Sequence, residues 1–230
     1  MIDAGTALIV GASRGLGLGL AAEYLRRGWR VVATRRGTAP ELDHLARGSD
    51  GRLAVETVDV TRDDQVEALR ERLDGETFDL VFLNAGQAAA GNLLEASAEE
   101  VNAVMQANTF GPVKLARRFV DRVREGSGVI AFMSTGMGSI ADNTSGDWDA
   151  YRASKAAQNI LARSLAVREA GSRRLTVLSI NPGWVKTDMG GRGASIDVDT
   201  SVRGIADQIE SRRGSAQHAF VGWNARELPW

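Results

Sequence analysis

Short apolar runs recur along the 230-residue chain, separated by longer segments of mixed polarity. Six of these runs are rich in residues that favour strands, and a shorter seventh follows near the end; they span residues 7–10, 29–33, 53–58, 80–83, 129–133, 175–180 and 219–221. Runs that are apolar at nearly every position are typical of parallel strands that are buried on both faces. The pattern therefore predicts seven strands of a buried parallel sheet.

Stretches with helical spacing lie between the predicted strands. Apolar residues recur every three to four positions over residues 18–25 and again over residues 66–73, where Thr61 is expected to cap the helix. Parallel strands need crossover connections, and right-handed crossovers stack helices on both faces of a sheet. No linker or repeat interrupts the order, so we predict an α/β protein with one domain over residues 1–230: a doubly wound parallel sheet, or Rossmann fold, with helices on both faces.

Composition narrows the possible functions. Lys and Arg total 28 and Asp and Glu total 29, a net charge of −1 that is too balanced for non-specific nucleic-acid binding. The absence of Cys excludes disulfides and thiolate chemistry, and two distant histidines make a metal centre unexpected. No apolar run reaches the roughly 20 residues of a membrane span and no signal peptide is evident, so we expect a soluble cytoplasmic protein.

A glycine-rich loop follows the first predicted strand and opens the first helix. Residues 10–17 read Val-Gly-Ala-Ser-Arg-Gly-Leu-Gly. Glycines at these positions allow a tight turn and the close approach of a pyrophosphate, whose charge is received by backbone N–H groups and the helix dipole. The loop therefore predicts a dinucleotide site that includes Gly11, Ser13, Arg14, Gly15, Leu16 and Gly17.

The same residues also fit GxSxG, the nucleophile elbow of α/β-hydrolases, which would make Ser13 an esterase nucleophile. That alternative needs an oxyanion loop from an earlier strand, but only ten residues precede Gly11. It also needs an acid and then a histidine later in the chain, for which His218 is available. The missing upstream loop disfavours it.

The end of the second predicted strand indicates which dinucleotide is bound. An NAD-binding protein often carries an acidic residue there for the ribose 2′-hydroxyl, but this chain reads Thr34-Arg35-Arg36. Arg35, with Arg14 in the glycine loop, is suited to a 2′-phosphate, which favours NADP(H) over NAD(H). The alternative is a pair of solvated arginines.

Tyr151 and Lys155 lie four residues apart in a stretch with helical periodicity, so they share one helix face. A neighbouring ammonium group stabilises a phenolate and lowers the pKa of the tyrosine. The pair is therefore a candidate proton donor with its activating charge. An ordinary helix surface is the alternative.

Taken together, these motifs resemble the short-chain dehydrogenase/reductase family. The resemblance rests on Gly-xxx-Gly-x-Gly at residues 11–17 and Tyr-xxx-Lys at residues 151–155, and it covers nearly the whole chain. Further matches are Asp59-Val60, Asn84-Ala85-Gly86, Asn108 and the Pro-Gly-Trp-Val-Lys-Thr of residues 182–187. Residues 137–143, 151–155 and 182–191 look like the C-factor and sniffer-like carbonyl reductase branch.

The resemblance implies that NADPH reduces a carbonyl group while Tyr151 protonates the oxygen. Lys155 would hold the nicotinamide ribose, and Asn108 would support a water that links Lys155 to solvent. By register Thr135 replaces the family's catalytic serine, with Ser134 as a structural hydroxyl, although which of the two acts stays open. Further cofactor contacts are expected from Asp59, Val60, Asn84, Ala85, Gly86, Pro182, Gly183, Val185 and Thr187.

The expected partner is a small carbonyl or alcohol substrate. The resemblance also suggests a homodimer or homotetramer formed through the long helices that follow the fourth and fifth strands. An alternative function is a dinucleotide-binding regulatory protein in which turnover is incidental.

Overall fold

The computed structural model describes residues 4–88 and 91–230, which contain one sheet of seven parallel strands. The order across the sheet is β3-β2-β1-β4-β5-β6-β7. All seven predicted strands are present, with ends that differ from the prediction by at most two residues. Their bounds are β1 Thr6–Val10, β2 Arg30–Arg35, β3 Leu53–Thr57, β4 Leu80–Leu83, β5 Val129–Met133, β6 Thr176–Asn181 and β7 His218–Gly222.

Helices connect successive strands. They are α1 Gly15–Arg26, α2 Pro40–Arg47, α3 Asp63–Arg72, α4 Ala98–Met105, α5 Gly111–Phe119, α6 Asp149–Leu165 and α7 Val198–Arg212. A π-helical segment, Gln106–Phe110, joins α4 to α5, and a second, Ala166–Ala170, follows α6. Short 3₁₀ turns cover Val120–Arg122 and Gly136–Gly138.

The two faces of the sheet bury different helices. In β1, Ala7 and Ile9 pack in a core with α1, α2 and α7, whereas Leu8 and Val10 pack in a second core with α3, α5 and α6. Alternate strand residues point to opposite faces, so a strand that is apolar throughout serves both cores. The predicted doubly wound fold with helices on both faces is confirmed.

The chain reverses its direction of winding between β1 and β4. β1 pairs with β2 on one side and with β4 on the other, in parallel register. In such sheets a crevice opens at the carboxyl ends of the strands on either side of this switch point. The loops that follow β1, β4, β5 and β6 therefore form the walls of the candidate site.

Thr61 does not cap α3, so that prediction is wrong. The helix begins after Arg62, and no side chain caps its first turn. The Thr61 hydroxyl instead donates to Asp59 Oδ1 at 2.7 Å, and the same oxygen accepts from the Thr61 backbone N–H at 2.9 Å. Asp59 closes the turn after β3 and holds Thr61 outside the helix.

No helix in residues 4–88 and 91–230 is both long and apolar enough to cross a membrane.

Candidate active site

The glycine loop requires glycine at the positions that the sequence singled out. Gly11 and Gly15 have φ angles of +87° and +56°, which L side chains rarely adopt. A Cβ on Gly11 would lie 2.8 Å from the Ala85 backbone, and a Cβ on Gly17 would lie 2.2 Å from the Gly11 carbonyl oxygen. The loop therefore packs directly against the start of α1 and the end of β4.

Neighbouring strands hold this loop in place. Gly11 N–H donates to Thr34 Oγ1 at 3.1 Å, and Ala12 N–H donates to the Thr34 carbonyl at 2.7 Å. From the other side, Asn84 Nδ2 donates to the Gly11 carbonyl at 2.7 Å. Sequence reasoning named Asn84 as a cofactor contact and did not predict that Asn84 and Thr34 brace the loop. The signal in the sequence was a threonine at the end of the mostly apolar run that forms β2, which pairs with β1.

The first turn of α1 fits an anionic group. Arg14 precedes the helix in an extended conformation, no side chain caps the turn, and no acidic residue occurs in it. The first N–H groups of a helix lack partners within the helix, and the helix dipole places positive potential there. Helix N-termini with these properties are sites where proteins bind phosphate groups. Ser13 and Leu16 flank the turn, and both are half-buried.

Both candidate phosphate-binding arginines have carboxylate partners. Arg14 Nη1 donates to Asp188 Oδ2 at 2.9 Å, which joins the glycine loop to the loop after β6. Arg35 Nη1 donates to both oxygens of Asp43, at 2.6 and 2.7 Å. Arg36 is exposed. Sequence could not predict these ion pairs because each joins segments whose contact depends on the fold.

Asp59 and Val60 follow β3, and Asp59 feels the charge of Arg36. Burial raises the pKa of Asp59, but hydrogen bonds from Thr61 and the charge of Arg36 outweigh it, so the pKa lies below its usual value. The carboxylate is therefore ionised near neutral pH. Val60 is buried, and its carbonyl lies 2.6 Å from where a Cβ on Gly111 would be.

The loop after β4 joins the glycine loop to α6. Asn84 and Ala85 both donate their N–H groups to the Val10 carbonyl, at 2.9 and 3.0 Å. A Cβ on the next residue, Gly86, would lie 3.6 Å from Lys155 Nζ. The glycine cradle and Lys155 therefore belong to one site.

Lys155 is buried on α6, with 3% of its surface exposed. Its Nζ donates to the Met133 carbonyl at 2.7 Å and lies 3.5 Å from Gln158 Oε1. Burial lowers the pKa of Lys155 to about 8, so the side chain is mostly protonated at neutral pH.

Tyr151 lies one turn before Lys155 on α6, as the spacing predicts. The sequence led us to expect a lowered pKa for its phenol, but burial raises the pKa of Tyr151 to about 12. The expectation was wrong for this structure because desolvation governs the phenol, and no charged group of the described residues offsets it. The phenol is therefore protonated near neutral pH and available as a donor.

Two hydroxyl groups follow β5, and they differ in surroundings. Ser134 is buried, and its Oγ donates to Asn159 Oδ1 at 2.9 Å. Thr135 is only half-buried, and its Oγ1 accepts from Met137 N–H at 3.3 Å. Because Thr135 Oγ1 is the acceptor in that bond, its own O–H proton is available to another acceptor. The Ser134 O–H proton is already donated to Asn159.

Asn108 is fully buried in the π-helical segment between α4 and α5. Its Oδ1 accepts from Gln87 N–H at 2.7 Å, and its Nδ2 donates to the Gln87 carbonyl at 2.9 Å and to Ser154 Oγ at 3.0 Å. The side chain thus ties the loop after β4 to α6. The backbone carbonyl of Asn108 accepts from Gln158 Nε2 at 2.7 Å. Sequence reasoning did not single out Gln158.

The loop after β6 packs over the glycine loop. Thr187 Oγ1 accepts from Gly190 N–H at 3.1 Å and lies 3.4 Å from the buried Val185 carbonyl. A Cβ on Gly15 would lie 3.5 Å from the Thr187 methyl group. At the base of the loop, Pro182 accepts from Ser201 Oγ at 2.8 Å, and the φ angle of Gly183 is +82°. Of the four predicted contacts in this segment, Thr187 is the one that lies against the glycine loop.

The hydrolase alternative fails on geometry. His218 begins β7, and three strands separate β7 from β1, which precedes Ser13. Both ring nitrogens of His218 are buried without hydrogen-bond partners among the described residues, and the ring stacks on Trp230 at 4.7 Å. Burial lowers the pKa of His218 to about 4. His218 therefore does not activate Ser13.

Comparison with known proteins identifies the family. A sequence model described as short chain dehydrogenase matches residues 5–195. The chain belongs to the short-chain dehydrogenase family. The family likeness, the predicted fold and the classification as an oxidoreductase are thereby confirmed.

Individual relatives agree with the carbonyl reductase branch. A solved structure from Burkholderia multivorans with bound NADP is 41% identical and covers 98% of this chain and 99% of that one, with a TM-score of 0.93. The carbonyl reductase Sniffer of D. melanogaster is 30% identical over 99% of this chain and 100% of that one, with a TM-score of 0.86. The C-signal of Myxococcus xanthus is 36% identical over 124 residues, which are 54% of this chain and 74% of that protein. These findings do not favour the regulatory alternative.

The bracing of the glycine loop is testable through stability. In Thr34→Val the Gly11 N–H loses its acceptor, so we expect the free energy of unfolding to fall by about 1 to 2 kcal/mol. Urea unfolding measures it. Thr38→Val, at an exposed position four residues on, is the control, and its effect should stay within about 0.5 kcal/mol. Equal stability of the two variants contradicts the bracing role.

Proposed function

We propose that this protein interconverts a small carbonyl compound and its alcohol with NADP(H), using Tyr151 as the proton donor and acceptor. The observation that carries the proposal is the buried Lys155 ammonium on the same face of α6 as Tyr151. Lys155 lies beside Gly86, and the loop containing Gly86 touches the glycine cradle. The NADP held by the Burkholderia multivorans structure supports the choice of cofactor.

The cofactor would lie along the crevice at the carboxyl ends of the strands. The N–H groups at the start of α1 would bind its pyrophosphate, and Lys155 would bind its nicotinamide ribose. When bound, NADPH supplies the hydride that reduces the carbonyl carbon. The remaining contacts would come from the adenine-side pair Asp59 and Val60, the strand-end residues Asn84, Ala85 and Gly86, and the carboxamide side with Pro182, Gly183, Val185 and Thr187.

The protein side chains would manage the charge on the carbonyl oxygen. The hydroxyls of Tyr151 and Thr135 would both donate to that oxygen and orient the substrate. As negative charge develops there, Tyr151 transfers its proton and becomes a phenolate. The positive charge of the Lys155 ammonium would stabilise the phenolate. This stabilisation would compensate for the raised pKa of the buried phenol. Ser134, whose proton is held by Asn159, would keep the strand end in position.

We also propose a preference for NADP(H) over NAD(H). β2 ends at Arg35 rather than at an acid, so no carboxylate of β2 repels a 2′-phosphate. Arg35 bonds Asp43 through Nη1, so its other guanidinium nitrogens would serve the phosphate. Arg14 would contribute when its exposed ion pair with Asp188 opens.

The proposed substrate is a small molecule, and the proposed assembly is a homodimer or homotetramer. Large apolar side chains are exposed on the segments that follow β4 and β5: Phe110 at 38%, Ile160 at 63% and Val167 at 63%. Burial of such side chains between copies of the chain would be favourable, which supports an interface on these segments.

Tyr151→Phe tests the proposed reaction. Loss of the proton donor should lower kcat by about 100-fold or more while NADPH affinity stays unchanged, because only the reacting hydroxyl is removed. Turnover is followed by NADPH absorbance with a panel of aldehydes, ketones and quinones, and affinity is followed by NADPH fluorescence.

Tyr24→Phe is the matched control, because the chain has only two tyrosines. The Tyr24 hydroxyl is buried in the core without a hydrogen-bond partner among the described residues, so its removal should leave turnover intact. Full activity in Tyr151→Phe refutes the assigned proton donor. A wild-type protein that binds NADPH but reduces none of the panel contradicts the proposed function.

Arg35→Ala tests the cofactor preference. Loss of a charged hydrogen-bond donor should raise KM for NADPH by about tenfold or more and leave KM for NADH nearly unchanged. Arg47→Ala, an exposed arginine at the end of α2, controls for the general loss of positive charge. Equal effects on the two cofactors contradict the role of Arg35.

A further inference from the structure

Gln158 is a fully buried amide on the catalytic face of α6. A buried amide is costly unless both its ends are hydrogen-bonded. Here Nε2 donates to the Asn108 carbonyl at 2.7 Å, and Oε1 lies 3.5 Å from Lys155 Nζ. The amide therefore joins the Asn108 carbonyl to the Lys155 ammonium through protein atoms alone.

The Asn108 carbonyl is available to Gln158 for a reason that the sequence explains. In an α-helix this carbonyl would accept from the N–H four residues later, but that residue is Pro112, which has none. The segment Gln106–Phe110 is π-helical, and the Gly111 N–H reaches back five residues to the Gln106 carbonyl. A side-chain donor from α6, Gln158 Nε2, bonds this carbonyl.

Among the described residues, Lys155 Nζ has two hydrogen-bond acceptors, and one of them is Gln158 Oε1. The Met133 carbonyl at the end of β5 is its short contact, at 2.7 Å. The loop after β4 and the turn after β5 approach Lys155 at Gly86 and Gly138. Because both residues are glycines, they offer Lys155 no side-chain acceptor. Tyr151 on α6 is the neighbouring titratable group, and no charged side chain of the described residues adds to the effect of burial on the pKa of Lys155.

We infer that Gln158 is a positioning residue for Lys155. Its amide holds the ammonium toward the cofactor crevice and joins it through protein atoms to the backbone carbonyl of Asn108, the residue that the family resemblance expects to support a water beside Lys155. The inference rests on the proposed function for its catalytic meaning, but the link itself is measurable without turnover.

The test is a direct titration of Lys155. The chain contains only three lysines, at positions 114, 155 and 186, so lysine labelled with ¹³C at Cε gives three NMR signals. Lys114→Arg and Lys186→Arg assign them. The wild-type Lys155 signal should titrate near pH 8. Gln158→Met removes the oxygen that stabilises the ammonium, so the Lys155 midpoint should fall by roughly half a unit to one unit.

A matched control separates this effect from the loss of any buried amide. Asn159 is the next residue of α6, and its amide bonds Ser134 and Gly138 rather than Lys155. Asn159→Leu should therefore leave the Lys155 midpoint unchanged. An unchanged midpoint in Gln158→Met, or an equal fall in both variants, overturns the inference.

A second variant keeps the test decisive if Gln158→Met does not fold. Gln158→Glu places a carboxyl group beside the ammonium, and the Lys155 midpoint should rise because an opposite charge favours the protonated form. A midpoint that stays the same or falls overturns the inference. Thermal unfolding confirms in each case that the protein is folded.

Enzyme assays distinguish failure of this inference from failure of the proposed function. If both hold, the alkaline limb of kcat/KM against pH moves in the same direction as the Lys155 midpoint in each Gln158 variant. If the Lys155 midpoint shifts in the Gln158 variants but the protein reduces no carbonyl compound, the contact between Gln158 and Lys155 is supported and the proposed function is refuted. Turnover with a midpoint that does not respond to Gln158 refutes the link and retains the function.

Discussion

The site depends on the burial of one ammonium group. Lys155 is 3% exposed, and the cost of burying its charge is offset by the Met133 carbonyl and the Gln158 amide. Those acceptors come from β5 and from α6 itself. The position of the charge is therefore fixed by the fold, next to Gly86 in the loop after β4.

The other parts of the site follow from how the strand ends meet. Parallel strands place their carboxyl ends at one edge, and the change of winding between β1 and β4 separates the loops that would otherwise fill it. The bonds from Thr34 and Asn84 to Gly11 bring the ends of β2 and β4 against the glycine loop. The same edge therefore carries the uncapped start of α1 and the buried ammonium of Lys155.

Local patterns predicted the fold well. Each apolar run became a strand because its alternate residues serve two cores, as Ala7 and Leu8 show. Glycine positions were equally readable, since positive φ angles and close approaches admit few other residues. Thr61 was mispredicted because Asp59, two residues earlier, binds its hydroxyl, a competition that propensity does not describe.

Contacts between segments that are distant along the chain could not be predicted from the sequence. The pairing of Arg14 with Asp188 joins residues 174 positions apart, and Gln158 reaches Asn108 from 50 positions away. The pKa shifts could not be predicted from the sequence either, since the desolvation of Tyr151 depends on residues packed around it from other parts of the fold. Sequence therefore named candidate residues, and packing determined their hydrogen bonds and pKa values.

A crystal structure of the complex with NADP⁺ tests the central claim most directly. The account predicts the pyrophosphate on the N–H groups at the start of α1, Lys155 Nζ bonded to the nicotinamide ribose, and the nicotinamide beside the Tyr151 hydroxyl. A dinucleotide bound elsewhere, or a Tyr151 hydroxyl directed away from the nicotinamide, would contradict it.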